Sequence, residues 1–370
     1  MSDSREQLSL DPQLCRGRQR RLVSAMQELE LDGVLVQQAE NVQWLTGFRP
    51  HRLMGAAVVL GADGTCTLSA PNDEPGDAAA DEVVTFESQW CCTLRQEQSK
   101  GALEALQGST GALGGRIGIE SSTAPAHSGL AAERVSDVEP LLWRLRRRKD
   151  ADEMAMMRRA IDCTAAMYQT AREIIEPGIT ELEVFNRLHD AAVTIAGEPL
   201  THPLGNDYQC GSPGGPPRNR AAEAGELFVL DLGPSYRGYY ADNCRTICVG
   251  GSPTDEQRLA WEAIVDVLDM VEETVKPGVS CAAVYRQAKG MLDEVRRDAF
   301  FHHLGHGVGL FPHEAPHLNP NWDDTFEEGD VFTAEPGLYW PDLKAGIRLE
   351  QNYQVTADGV ELLTTFPLEL

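Results

Sequence analysis

The sequence predicts an α+β protein in two domains: an α/β domain over residues 1–148, then a domain over residues 149–370 made of two similar halves. Three observations predict it. Helix-period and strand-period segments alternate through the first third of the chain, a basic run interrupts them, and beyond that run one motif recurs at a spacing of 100 residues.

Between Arg18 and Leu29, the apolar residues Leu22, Met26 and Leu29 recur at helical spacing, and Gly33-Val34-Leu35-Val36 then reads as a strand. Trp44-Leu45-Thr46-Gly47-Phe48 follows, then the strand Ala56–Leu60, a turn at Asp63-Gly64 and a short strand within Gly115–Glu120. The run Arg144-Leu145-Arg146-Arg147-Arg148-Lys149 marks the boundary. Asp150, Asp152 and Glu153 follow at once, so it reads as a solvated helix start with local ion pairs, not as a nucleic-acid patch.

The repeat lies beyond. Ile175-Glu176-Pro177-Gly178-Ile179-Thr180 with Val184-Phe185 returns as Val275-Lys276-Pro277-Gly278-Val279-Ser280 with Val284-Tyr285. Each copy follows a long amphipathic helix (153–174, then 255–273) and opens another, with Thr180 or Ser280 placed to cap it. Two halves packed about an approximate two-fold axis follow, and a site between them draws residues from both.

A formal charge of −25 repels nucleic acid and anionic membrane surfaces at long range. The opening residues, with Asp3, Arg5 and Glu6, lack a signal peptide's apolar core, and no stretch reaches the roughly 20 apolar residues of a spanning helix, so the expected compartment is the cytoplasm. The nine cysteines are scattered and never spaced Cys-x-x-Cys, which reads as reduced thiols and not as a zinc ribbon.

The chemistry is carried by acids where strands should be apolar. Leu227-Phe228-Val229-Leu230-Asp231-Leu232-Gly233 is such a strand, and Asp242 lies 11 residues on, so a hairpin about Tyr236-Arg237 sets the two acids face to face. Either one is protonated or something positive lies between them. Glu335 and Glu350 flank a second hairpin centred near Asp342-Leu343. Four carboxylates converging in a core require protonation or neutralisation, which two divalent cations would supply; four unrelated surface acids on ordinary hairpins are the plain alternative. His306 stands in Gly305-His306-Gly307-Val308-Gly309, where glycines let backbone pass close to a crowded centre; alone it reads as a packed core residue, and the run lacks the Lys-Ser/Thr of a phosphate loop.

Together with His313-Glu314-Ala315-Pro316, Glu335-Pro336-Gly337 and Gly346-Ile347-Arg348-Leu349-Glu350, these segments resemble the pita-bread metallopeptidases: methionine aminopeptidase, aminopeptidase P and prolidase. Leu31–Val36 and Asn41–Phe48 look like the N-terminal domain of the creatinase, prolidase and aminopeptidase P branch. The resemblance implies a creatinase-like α/β domain followed by a pita-bread domain, and a cytoplasmic homodimer acting on a peptide or small-molecule substrate. It implies one metal on Asp231, Asp242 and Glu350 and a second on Asp242, His306, Glu335 and Glu350, with Mn favoured and Co, Fe or Zn allowed. It further implies that Glu335 shuttles a proton, His313 assists at the tetrahedral intermediate and Arg348 orders the carboxylates; an ordinary structural hydrogen bond is the alternative for His313 and Arg348. The implied reaction is hydrolysis of Xaa-Pro bonds by an aminopeptidase or a dipeptidase. One departure stands out: Gly214 occupies the position of the family's substrate-binding histidine, leaving His202, Tyr208 and Arg218 as candidates for that role, with an ordinary loop residue as the alternative for each. It keeps two other readings open: a non-peptidase member cleaving C–N or C–S bonds, and a weakly active metal-binding scaffold.

Overall fold

In the computed structural model, which describes residues 8–109, 115–123, 134–202, 205 and 207–370, the first helix runs from Pro12 to Glu28. Asp11 caps it, its carboxylate accepting the Gln13 N–H. Cys15, Leu22 and Met26 are buried on its inner face, whereas Leu29 lies past its end and is exposed. Asp3, Arg5 and Glu6 lie outside the described residues.

The chain divides into two compact units, Leu8–Arg146 and Arg147–Leu370. The first is a six-stranded sheet in the order Glu82–Phe86, Cys66–Pro71, Ala57–Gly61, Gly33–Val36, Ile117–Ile119, Val135–Asp137. Gly33–Val36 is buried along its whole length, which is why its sequence is uninterruptedly apolar. Asn41 to Thr46 lie in a helix, Ala39–Thr46, ended by Gly47 at φ +79°, a left-handed cap that glycine adopts without cost.

The second unit shows the repeat in its hydrogen bonds. Helices Ala151–Ile174 and Asp255–Thr274 each end just before a Pro-Gly turn. In the two turns the Ile179 N–H donates to Glu176 O and the Val279 N–H to Lys276 O, both at 3.2 Å, while Gly178 and Gly278 donate to Ala222 and Phe326 at 2.8 Å. Thr180 and Ser280 then cap helices Glu181–Ala196 and Cys281–Val295 by accepting the Glu183 and Ala283 N–H groups. Each helix pair precedes its own sheet. The first is Asn243–Cys248, Leu227–Leu232, Asp207–Cys210; the second is Glu314–Leu318, Gly305–Gly307, Val331–Ala334, Gln351–Val355, Val360–Leu362. Among the described residues no helix is long and apolar enough to cross a membrane, and all nine cysteines are free thiols.

The basic run departs from the expected solvated helix start. Arg147 is buried and forks onto Asp330, Nε to Oδ1 at 2.9 Å and Nη2 to Oδ2 at 2.6 Å, and Lys149 donates to Glu314 at 3.0 Å with its side chain 1 % exposed. The partners are acids more than 160 residues away in the chain, not the neighbours that follow the run. Removing one partner of a buried pair strands the other, so Arg147→Met is expected to destabilise by about 3–5 kcal/mol. Asp330→Asn added to it should recover part of the loss, because the remaining group no longer carries a charge. Urea denaturation measures both, and a loss under about 1 kcal/mol for the single variant contradicts the assignment.

Candidate metal centre

The first acid pair sits on a hairpin whose turn is Tyr236-Arg237-Gly238-Tyr239. Arg237 and Gly238 have φ of +48° and +91°, the two positive values of a two-residue type I′ loop. The hairpin is therefore centred on Arg237-Gly238, one residue beyond the expected centre, and Asp231 pairs with Cys244 instead of Asp242. The expectation failed on the turn because two left-handed residues are needed there and Gly238 is one of them. Asp242 lies two residues before Cys244 and so shares the face of Asp231 as its diagonal neighbour.

The second pair follows the expected register. Phe332 opposes Tyr353, Ala334 opposes Gln351 and Gly337 opposes Arg348, so the same register sets Glu335 opposite Glu350, with its centre in the 3-10 turn Pro341–Leu343. Side-chain donors to main-chain carbonyls tie the two acid-bearing segments together: Asn243 Nδ2 and Arg245 Nη1 donate to Glu350 O, and Asn352 Nδ2 donates to Asp242 O.

His306 comes from the strand Gly305–Gly307, and its neighbours leave no room for side chains. A Cβ on Gly305 would stand 2.0 Å from Thr333 O, and one on Gly307 2.0 Å from Ala315 O. The imidazole Nδ1 lies 3.0 Å from Gly307 O, which only accepts, so Nδ1 carries the proton and Nε2 presents its lone pair. Nε2 lies 3.4 Å from Glu335 Oε1 and 3.8 Å from Asp242 Oδ2. His313 stacks on His306 with ring centroids 3.8 Å apart and planes 10° from parallel. Arg348 donates Nη2 to Asp231 at 2.8 Å and to Asp207, and Nη1 to the Tyr339 hydroxyl at 3.0 Å.

These groups line one cavity of about 300 Å³, with Asp207, Phe301, His302 and His303 completing the wall. The sequence reading passes over these four. The doublet His302-His303, just ahead of Gly305-His306, was a usable signal for two of them. Asp207 had none, because its partners come from residues 215 and 348. His202, Tyr208 and Arg218 are not among the lining residues. The His202 ring lies on Tyr240 with Nδ1 3.0 Å from Ser235 Oγ, Tyr208 is buried edge-on against Phe185, and Arg218 is held by both oxygens of the buried Glu181. Of the described residues in this stretch of chain, Asp207 is the one that lines the cavity.

Burial dominates the electrostatics of the metal-free protein. It raises Asp231 to about 6 against the pull of Arg348, and raises Asp242, Glu335 and Glu350; at Asp242 and Glu350 the neighbouring acids add to the rise. Burial likewise pushes His306 and His313 down to about 4, so both are neutral near pH 7. Asp231 Oδ1 and both Glu350 oxygens are buried without a hydrogen-bond partner. Asp231, Glu335 and Glu350 each offer a donor atom within 4.8 Å of the others, and so do Asp242, His306 and Glu350. Orphaned carboxylate oxygens and an imidazole lone pair converging in this way fit hard or borderline divalent cations.

Comparison with known proteins accords with this geometry. The description "Metallopeptidase family M24" matches residues 155–357, and "Creatinase/Prolidase N-terminal domain" matches residues 18–148. The chain belongs to metallopeptidase family M24. This M24 protein is 26 % identical over 359 residues to an Xaa-Pro dipeptidase from Pyrococcus horikoshii, covering 95 % of this chain and 97 % of that one. The prolidase from Pyrococcus furiosus superposes with a TM-score of 0.78 at 26 % identity, over 93 % of this chain and 99 % of that one. An Xaa-Pro dipeptidase from Bacillus anthracis shares the fold with a TM-score of 0.83 at 24 % identity, over 96 % and 99 %. The M24 protein is thus a metallopeptidase with a creatinase-type N-terminal domain and a pita-bread domain.

The raised carboxylates make a pH prediction for the chelated M24 protein. Asp231 has a folded pKa of about 6 against an ordinary 3.8, so its contribution to stability is present below pH 4 and lost as pH rises through 6. The stability of the chelated protein should fall from about pH 3 to pH 7, most steeply between the two pKa values, by something on the order of 3 kcal/mol from this group. Glu350→Gln removes one of the crowded charges and should flatten that fall. Calorimetry across this window checks it; equal slopes in the two proteins would contradict the assignment.

Proposed function

We propose that the protein is a dinuclear-metal peptidase that hydrolyses Xaa-Pro bonds in the cytoplasm. One observation carries the metal part: four carboxylates and one imidazole lone pair are buried together, with three acceptor oxygens left without donors. Asp231, Asp242 and Glu350 would hold one ion, and Asp242, His306, Glu335 and Glu350 would hold the other. Carboxylate-rich ligation with a single imidazole suits Mn. The prolyl specificity is supported by the prolidases and Xaa-Pro dipeptidases among its relatives.

When bound, two divalent ions supply Lewis acidity, polarising the scissile carbonyl and lowering the pKa of the attacking water. Glu335, beside His306 in the cavity wall, takes the proton of that water and delivers it to the leaving nitrogen. His313, neutral and stacked over His306, faces the cavity where the carbonyl oxygen gains charge. Arg348 fixes Asp231 by donating to Oδ2, which leaves Oδ1 without a donor and available to an ion when one is bound.

Chelation should abolish hydrolysis of an Xaa-Pro panel and Mn should restore it, with elemental analysis giving two ions per chain. No more than trace metal after loading would defeat the proposal. Glu335→Gln is expected to lower kcat by roughly 10²–10⁴-fold with the fold retained, as judged by circular dichroism. Full turnover in this variant at equal metal content would move the proton transfer to another residue.

A further inference from the structure

The cavity wall holds five carboxylates, of Asp207, Asp231, Asp242, Glu335 and Glu350, and one guanidinium, that of Arg348. Two dications offset the four ligand carboxylates in charge. Asp207 remains, and it takes up Arg348, the permanent cation of the wall. It does so from a fixed position: Oδ1 accepts the Gly215 N–H at 2.5 Å and Oδ2 accepts from Arg348 Nη2. The loop is shaped around it. A Cβ on Gly214 would lie 2.4 Å from Asp207 Oδ2, so the carboxylate fills the space that a side chain at 214 would enter.

We propose that Asp207 is a specificity-determining residue that sets the pocket against a free substrate carboxylate, so that the substrates are Xaa-Pro peptides of three residues or more and dipeptide amides. The inference rests on the reading of the protein as an Xaa-Pro peptidase. A cavity of about 300 Å³ is at the small end of ligand pockets. A dipeptide spanning the acid cluster keeps its own carboxylate inside, near Asp207, with Arg348 already shared between Asp207 and Asp231. A longer peptide carries that charge out and leaves a neutral amide in its place. With Arg348 held by two carboxylates, the wall keeps no unshared guanidinium for that second charge, and burying a carboxylate without a partner costs at least about tenfold in binding relative to the neutral amide.

The test compares kcat/KM of the Mn-loaded enzyme on an Xaa-Pro dipeptide, its C-terminal amide and the corresponding tripeptide. The amide and the tripeptide should exceed the free acid by about tenfold or more, chiefly through KM. Asp207→Asn, which keeps the acceptor and removes the charge, should close most of that gap by lowering KM for the free acid. A wild-type enzyme that prefers the free acid overturns the inference with no variant needed. So does a gap unchanged in Asp207→Asn at equal metal content and melting temperature. Calorimetric binding of the same three peptides to the Mn-loaded enzyme separates the possible failures. No binding of any peptide sinks the peptidase reading and this inference with it, whereas binding that favours the acid sinks this inference alone.

Discussion

Four carboxylates brought inside a protein without enough donors is the constraint on which the second unit depends. Left alone, the metal-free centre binds protons tightly, which is the sense of the upward shifts at Asp231, Asp242, Glu335 and Glu350. Around it the backbone is immobilised by uncharged or single-charge donors. Asn243 and Arg245 hold the carbonyl of Glu350, and Asn352 holds that of Asp242. These bonds fix where the acids stand without spending their side-chain oxygens, which stay available to cations. The glycines on either side of His306 serve the same end, since the imidazole reaches the acids only because its strand packs against Thr333 and Ala315 at backbone distance.

The repeated architecture explains how such a cluster is assembled from short pieces of chain. Each half contributes a helix pair, a capped turn and a hairpin with two acids, and the acids are delivered by strand pairing, whose geometry is regular. Their convergence is thus a property of two sheets brought together rather than of any long excursion of the chain. Asp207 is the exception. It begins the edge strand Asp207–Cys210 of the first sheet and comes to the cavity through one salt link and one backbone donor.

Much of this is legible in the sequence. The repeat, the caps at Thr180 and Ser280, and the second hairpin's register follow from local chemistry: Pro-Gly turns, hydroxyl caps and period-two alternation. The first hairpin slipped by one residue because its turn type depends on φ values that only Gly238 advertised. The basic run was misread because sequence neighbours are the visible partners, and the acids that neutralise Arg147 and Lys149 arrive from residues 330 and 314. His302 and His303 were in plain view beside a recognised motif. Asp207 was not, since nothing in a single acid after a loop foretells an arginine 141 residues on.

The two hairpins differ in slack, and that difference governs where the centre tolerates change. The first closes in two residues, so inserting one residue between Asp231 and Asp242 would rotate the second acid to the opposite face of its sheet. The second closes through residues 339–346, in which Tyr339 already reaches His302. A loop of that length absorbs additions at small entropic cost while the pairing of Gly337 with Arg348 keeps Glu350 in place. Variation in length therefore belongs to the second hairpin alone, and the first keeps Asp231 and Asp242 in a fixed relation to each other.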